Sequence, residues 1–278
     1  MNRLVGQPIS ITADKPQTTR NRIMGVRTTG ESQIVFVDTP GIHASRDKLN
    51  QRMVAYALAA LEDADAVMAI TEPFRKNQSG PGHGDKLVLE RLSASKQKAL
   101  LVVNKIDTAN EDQVFKTLAW FGDQGIFEAI VPLSALTGKG VDRLESLLPA
   151  YLSEGPQFFE SDQITDQSER MIVAELVRQE VFRRTHQEVP YATAVEVESM
   201  VEEDDRLVIH ARIMVERDSQ KGIIIGKGGQ MLKQIGQQAR KKMETLLGMK
   251  VRLDLHVAVL KDWSLNPRHL ARLGYPEA

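Results

Sequence analysis

The 278-residue sequence contains no cysteine. That excludes a disulfide framework and any thiolate metal site, and it suits a reducing cytoplasm. No apolar run approaches membrane-spanning length, and residues 1–7 lack the apolar core of a signal peptide. The six histidines show no metal-ligand spacing, so surface and packing roles are expected for them. What remains is a soluble globular composition, 42% hydrophobic and 26% charged, long enough for two domains with separate cores. The net charge of −1 is unevenly spread. Residues 153–205 carry 4 Lys/Arg against 14 Asp/Glu, whereas residues 206–252 carry 11 against 3. The second stretch is a candidate footprint for a polyanion.

Three polar clusters follow short apolar runs in the first half. Residues 33–38 read as a strand ending in Asp38-Thr39-Pro40-Gly41. Residues 99–103, continuous and β-branched at the end, suit a strand buried on both faces, and they stop at Asn104-Lys105-Ile106-Asp107. Residues 129–133 end in Ser134-Ala135-Leu136. A further buried-type strand is expected at 66–70, and helices at 48–61, 86–92, 112–121 and 141–151. Strands alternating with helices imply a parallel sheet wound on both sides.

Ligands bind such sheets at the carboxyl ends of the strands. A carboxylate at Asp107 would accept two hydrogen bonds from guanine N1–H and N2–H, a donor pair that adenine lacks. A site built for paired bonds rejects an analogue without them. Lys105 would lay its stem along the base and Asn104 would brace the loop. Ser134 and Ala135 would offer a backbone N–H to guanine O6. Asp38 suits a carboxylate holding Mg²⁺ through water. Gly41 would let its N–H approach a terminal phosphate. Thr18 or Thr19, in the polar loop 12–20, would close over that phosphate with a hydroxyl on the metal.

Residues 153–168 hold Gly155 and Pro156 without periodicity and read as a linker. Beyond them come a helix at 169–184, alternating runs at 192–200, 207–215 and 251–259, and a helix at 231–247. Gly226-Lys227-Gly228-Gly229 falls between two helices in an α-β-β-α-α-β order. That order matches a KH domain of the second topological type. Its glycines let a sugar–phosphate backbone approach main-chain N–H groups at a helix start. Lys227, with Lys221, Lys233 and Arg240, supplies charge, and an adjoining apolar groove would take unstacked bases.

The strand-end motifs in this order resemble those of translation-factor-type GTPases, and Lys15-Pro16-Gln17-Thr18-Thr19-Arg20 narrows the resemblance to the Era family. There, residues matching Gln17 to Arg20 form the first switch loop. The resemblance covers nearly the whole chain. It implies a Ras-like α/β P-loop GTPase domain at 1–152, a linker at 153–168 and an α+β type II KH domain at 169–278. It implies GTP, GDP and Mg²⁺ as ligands, with Asp38, Thr39, Pro40, Gly41, Ile42, Asn104, Lys105, Ile106, Asp107, Ser134 and Ala135 at the nucleotide. It implies 16S rRNA and the 30S subunit as partners rather than DNA. A cytoplasmic monomer with peripheral contact to the inner face of the cell membrane is the expected setting. Trp263 and residues 270–275 fit the family's usual ending. His256 and Ala258 stand where the family more often has Trp and Lys.

One motif is missing. GxxxxGK[ST], whose backbone cradles phosphates and whose Lys and Ser/Thr hold phosphate and Mg²⁺, does not occur before Asp38. Residues 1–4 align with the helix that follows this loop in the family. The expectation is therefore that Met1 is an internal methionine of a longer protein. The missing first strand should leave a gap between the strand ending at Asp38 and that ending at Ile70. Ile42 also stands where Ras-type enzymes place the glutamine that orients water, which implies slow intrinsic hydrolysis. The alternative is an RNA-binding module that has lost GTP.

Overall fold

The structure, a computed structural model, describes residues 1–15, 17–41, 48–95 and 97–275. The chain opens with a short helix α1 (Asn2–Val5), stopped by Gly6 in the left-handed region at φ 82°. A hairpin follows, β1 (Ile23–Thr29) against antiparallel β2 (Ser32–Asp38), paired from Ile23 with Asp38 to Thr29 with Ser32. Helix α2 (Lys48–Asp63) leads to β3 (Ala66–Thr71), α3 (His83–Ala94), β4 (Lys98–Val103), α4 (Glu111–Gly122), β5 (Ala129–Pro132) and α5 (Val141–Leu147).

Strands β3, β4 and β5 form a parallel sheet in that order. Side-chain alternation along β4 explains its burial on both faces. Val102 joins Val131, Leu4, Val141 and Leu144 on one face. Ala99, Leu101 and Val103 join Leu92 and Phe121 on the other. Among the described residues β2 and β3 are not paired, and the hairpin and the parallel sheet stand as separate sheets. This corrects the reading of 66–70 as fully buried. Among the described residues β4 is the only strand paired with β3, which leaves β3 at the sheet's edge, and Ile70 is 60% exposed.

The second half runs α6 (Glu169–Arg184), β6 (Ala194–Glu203), β7 (Arg206–Val215), α7 (Asp218–Ile225), α8 (Gln230–Leu247), β8 (Lys250–Val259) and α9 (Pro267–Arg272). Central β7 pairs antiparallel with β6 and parallel with β8. Alternate residues Leu207, Ile209, Ala211, Ile213 and Val215 pack with Val177 and Val181 of α6 and Ile235, Ala239 and Met243 of α8. The α-β-β-α-α-β order is as the periodicity predicts.

Residues 153–168 are not a loose tether. Ile164 O accepts from Val26 N at 2.9 Å, Thr165 donates to Met24 O at 2.6 Å, and Gln33 Oε1 accepts from Phe158 N and Phe159 N. These bonds hold the segment along the β1–β2 hairpin. A second junction joins the halves directly: Leu49 and Met53 of α2 pack with Met214, Trp263, Leu270 and Tyr275. Among the described residues no helix is long and apolar enough to cross a membrane.

Candidate functional site

Two of the three strand-end clusters, Asn104–Asp107 and Ser134–Leu136, meet at the ends of β4 and β5. Asn104 N donates to Thr71 O at 2.8 Å, tying the end of β4 to the end of β3. Its side-chain Oδ1 accepts from Lys105 N at 2.8 Å and from Ala135 N at 3.0 Å, so Asn104 fastens its own loop to that of Ser134. Lys105 takes the left-handed conformation at φ 63°, and its ammonium pairs with Glu72. The following turn, Ile106–Thr108, leaves Asp107 exposed, and among the described residues its carboxylate has no hydrogen-bond partner. Ser134 is fully buried, and its N–H donates to Lys139 O at 2.8 Å. The N–H groups of Ser134 and Ala135 are thus both engaged within the protein.

At the end of β2, Asp38 Oδ2 accepts from Ser10 Oγ at 2.7 Å and from Thr19 Oγ1 at 3.2 Å. A carboxylate beside two hydroxyls is an all-oxygen donor set, which fits Mg²⁺. Among the described residues no cluster of three His, Cys, Asp or Glu exists. Pro40 is buried, Thr39 half-buried and Gly41 exposed, with open space where a Cβ would project. Ile42 lies outside the described residues.

The loop carrying Thr19 is held by the second half. Thr18 O accepts from Arg178. Lys15 Nζ donates to Phe182 O at 2.6 Å. Arg20 points into the second half. It is 3% exposed, donates to Thr193 O and Tyr191 O at 2.7 Å and to Pro190 O at 3.2 Å, and lies over the rings of Phe182 and Trp263. Burial pushes its guanidinium below the ordinary arginine range; Tyr275 opposes that shift and neighbouring Arg178 reinforces it. Arg178 is itself 1% exposed and is gripped by Glu175 at 2.5 and 2.6 Å.

The Gly226–Gly229 loop caps α8. Gly226, Gly228 and Gly229 all have positive φ, at 71°, 59° and 77°. A Cβ on Gly226 would lie 2.7 Å from Met231 Cβ, so only glycine fits there. Around Gly228 and Gly229 there is open space, and that is where a phosphate backbone can approach. Lys227 and Lys233 are exposed, Lys221 is half-buried, and exposed Ile223 adds apolar surface beside the loop. Arg240 sits apart, about 16 Å down α8 at 1.5 Å per residue, and loosely faces Glu244 at 3.9 Å.

Sequence reasoning missed Ser10, Arg178 and Gln179. Ser10 carries one faint signal, a polar residue between Ile9 and Ile11. Arg178, Gln179 and Glu180 are polar positions of α6, yet all three are buried, bonded to Thr18 and Thr12 of the preceding loop and to Lys242 of α8.

Residues 188–264 match the family model for the KH domain, and residues 1–105 match that for a 50S ribosome-binding GTPase. The chain is 50% identical to GTPase Era of Geobacter metallireducens over 277 residues, covering 99% of this chain and 92% of that protein. It is 47% identical to GTPase Era of Geotalea uraniireducens, with the same coverage. Two crystal structures superpose with a TM-score of 0.92 at 35% identity, over 99% of this chain and 93% of theirs. One is a point variant of Aquifex aeolicus Era bound to GDP·AlF4⁻. The other is Era with MgGDPNP and nucleotides 1506–1542 of 16S ribosomal RNA.

Proposed function

Because the chain belongs to the Era family of GTPases, we propose that it is a GTP-dependent switch on 16S rRNA that acts in the cytoplasm during 30S subunit assembly. The observation that carries this reading is the pair of polar clusters bonded at the ends of β4 and β5, together with Asp38 beside Thr19 in a loop that α6 connects to the helix following the glycine loop. Asp107 would read guanine N1–H and N2–H from its exposed turn. Asp38 and Thr19 would hold Mg²⁺, with Ser10 orienting the carboxylate. Of the two threonines, Thr19 is the one whose hydroxyl lies beside Asp38. Gly41 would meet the terminal phosphate. When bound, Mg²⁺ neutralises charge on the phosphates; the chain's own part is to place oxygen donors and to order the loop around them. At the other end, the open surface at Gly228 and Gly229 would receive the RNA backbone, with Lys227 and Lys233 beside it.

A second reading, an RNA-binding module without nucleotide chemistry, is favoured by one observation. No GxxxxGK[ST], the motif whose backbone would cradle the α- and β-phosphates, precedes Asp38 in this sequence. Binding assays on two polypeptides separate the readings. This chain, and a version extended upstream of Met1 by an apolar strand and GxxxxGK[ST], are titrated with GTP and with an RNA of nucleotides 1506–1542. The switch reading expects RNA binding by both and tight GTP binding by the extended form. Tight RNA binding with no GTP affinity in either form supports the module instead.

A further inference from the structure

Helix α6 lies between the loop that carries Thr19 and the helix that follows the glycine loop, and one side chain touches both. Gln179 is 6% exposed. Its Nε2 donates to Thr12 O at 2.9 Å and to Thr12 Oγ1 at 3.1 Å. Its Oε1 accepts from Lys242 Nζ of α8 at 2.6 Å. The two partners leave the amide one orientation. A lysine ammonium can only donate and a backbone carbonyl can only accept, so the oxygen must face Lys242 and the nitrogen Thr12. Lys242 therefore decides what Gln179 offers the loop. Glu180, also buried, accepts from Lys242 and fixes that ammonium in place.

We propose that Gln179 is a positioning residue that couples the loop 12–19 to helix α8, so that RNA engagement at Gly226–Gly229 and the conformation around Thr19 bias one another. The inference rests on the reading of that glycine loop as the RNA contact. Any such bias is reciprocal, because it is a free energy shared by two sites. The path is short. Thr12 leads to Ser10 and Thr19, the two hydroxyls on Asp38, while Lys242 lies on the helix that opens at the glycine loop.

Hydrogen exchange on the full chain tests this in two arms. Without RNA, Lys242→Met should speed exchange of residues 10–15 about fivefold, the effect of freeing one buried hydrogen bond. In a Gln179→Leu background the same change should add nothing. Gln179→Glu keeps its acceptor toward Lys242 but offers Thr12 no donor, and it should behave as the leucine does. Unchanged exchange in Lys242→Met, or a full effect in the Gln179→Leu background, overturns the link. With nucleotides 1506–1542 of 16S rRNA as probe, the parent should alter exchange at 10–19 on binding. Gln179→Leu should bind that RNA within about twofold of the parent and lose the response at 10–19. If the RNA leaves 226–233 unprotected in every variant, the RNA reading fails and takes the RNA half of this inference with it. The first arm still decides whether Gln179 joins loop to helix.

Discussion

Asp107 and Arg20 show how differently two charged residues are used. Asp107 stands exposed at the nucleotide edge with no partner among the described residues, so its carboxylate is available to a base. In the extended chain, Asp107→Asn should weaken GTP and admit xanthosine triphosphate, whose base exchanges a donor for an acceptor. Competition binding with the two nucleotides reads this directly, and equal GTP affinity in mutant and parent would contradict the assignment. Arg20 holds three backbone carbonyls that have been drawn out of water. Arg20→Ala should cost about 2–4 kcal/mol of stability, mostly the desolvation of those orphaned acceptors. Arg20→Lys should recover little, since a single ammonium lacks the planar fork that reaches all three. Denaturant unfolding of both variants provides the measurement, and a midpoint equal to the parent's would show that water replaces the guanidinium freely.

Among the elements, α8 and the loop before it give the clearest case. The helix starts at Gln230, so Gly228 can change without touching its hydrogen bonds. Gly228 has open space around it and a φ of 59°, a region that aspartate tolerates better than most residues. Gly228→Asp should therefore keep the fold yet weaken RNA binding at least about tenfold at ~0.1 M salt, by obstruction and by repulsion of phosphate. Filter binding across a salt series checks this. Affinity that survives would move the interface elsewhere on the basic stretch. Strand β3 illustrates the opposite situation, a strand whose apolar residues suit burial on both faces but which, among the described residues, pairs with a strand along only one edge.

At the scale of the whole molecule, the two halves share more than a tether. Trp263 is fully buried, donates to Ala192 O at 3.0 Å and packs with Leu49 and Met53 from α2. Trp263→Ala should remove about 3–5 kcal/mol from this junction. The expected outcome is separation of unfolding into two calorimetric transitions, with the second half melting first. A single transition at the parent temperature would mean that the seam contributes little. This junction and the bonds from α6 to the loop before β1 tie Asp38 and the glycine loop into one body.

Much of this protein is written locally. The period-2 runs of β7 and β8, the 3.6-residue pattern of α6 and the polar stops after β2, β4 and β5 follow from which side chains alternate and where apolar runs end. They placed Asp38, Asn104, Asp107 and Gly226–Gly229 at the right ends of the right elements. Asn104 was even legible as a brace, because an amide after a buried strand has few other uses. Tertiary contact decided the rest. Which threonine faces Asp38, where Arg20 goes, and why Arg178, Gln179 and Glu180 are buried all depend on residues more than 150 positions away along the chain or on a helix that packs from the other side. Helical periodicity identifies a polar face without saying whether water or another polar loop will cover it. A buried guanidinium or amide becomes stable only when distant carbonyls and carboxylates arrive to satisfy it, and that arrangement exists only in the folded chain.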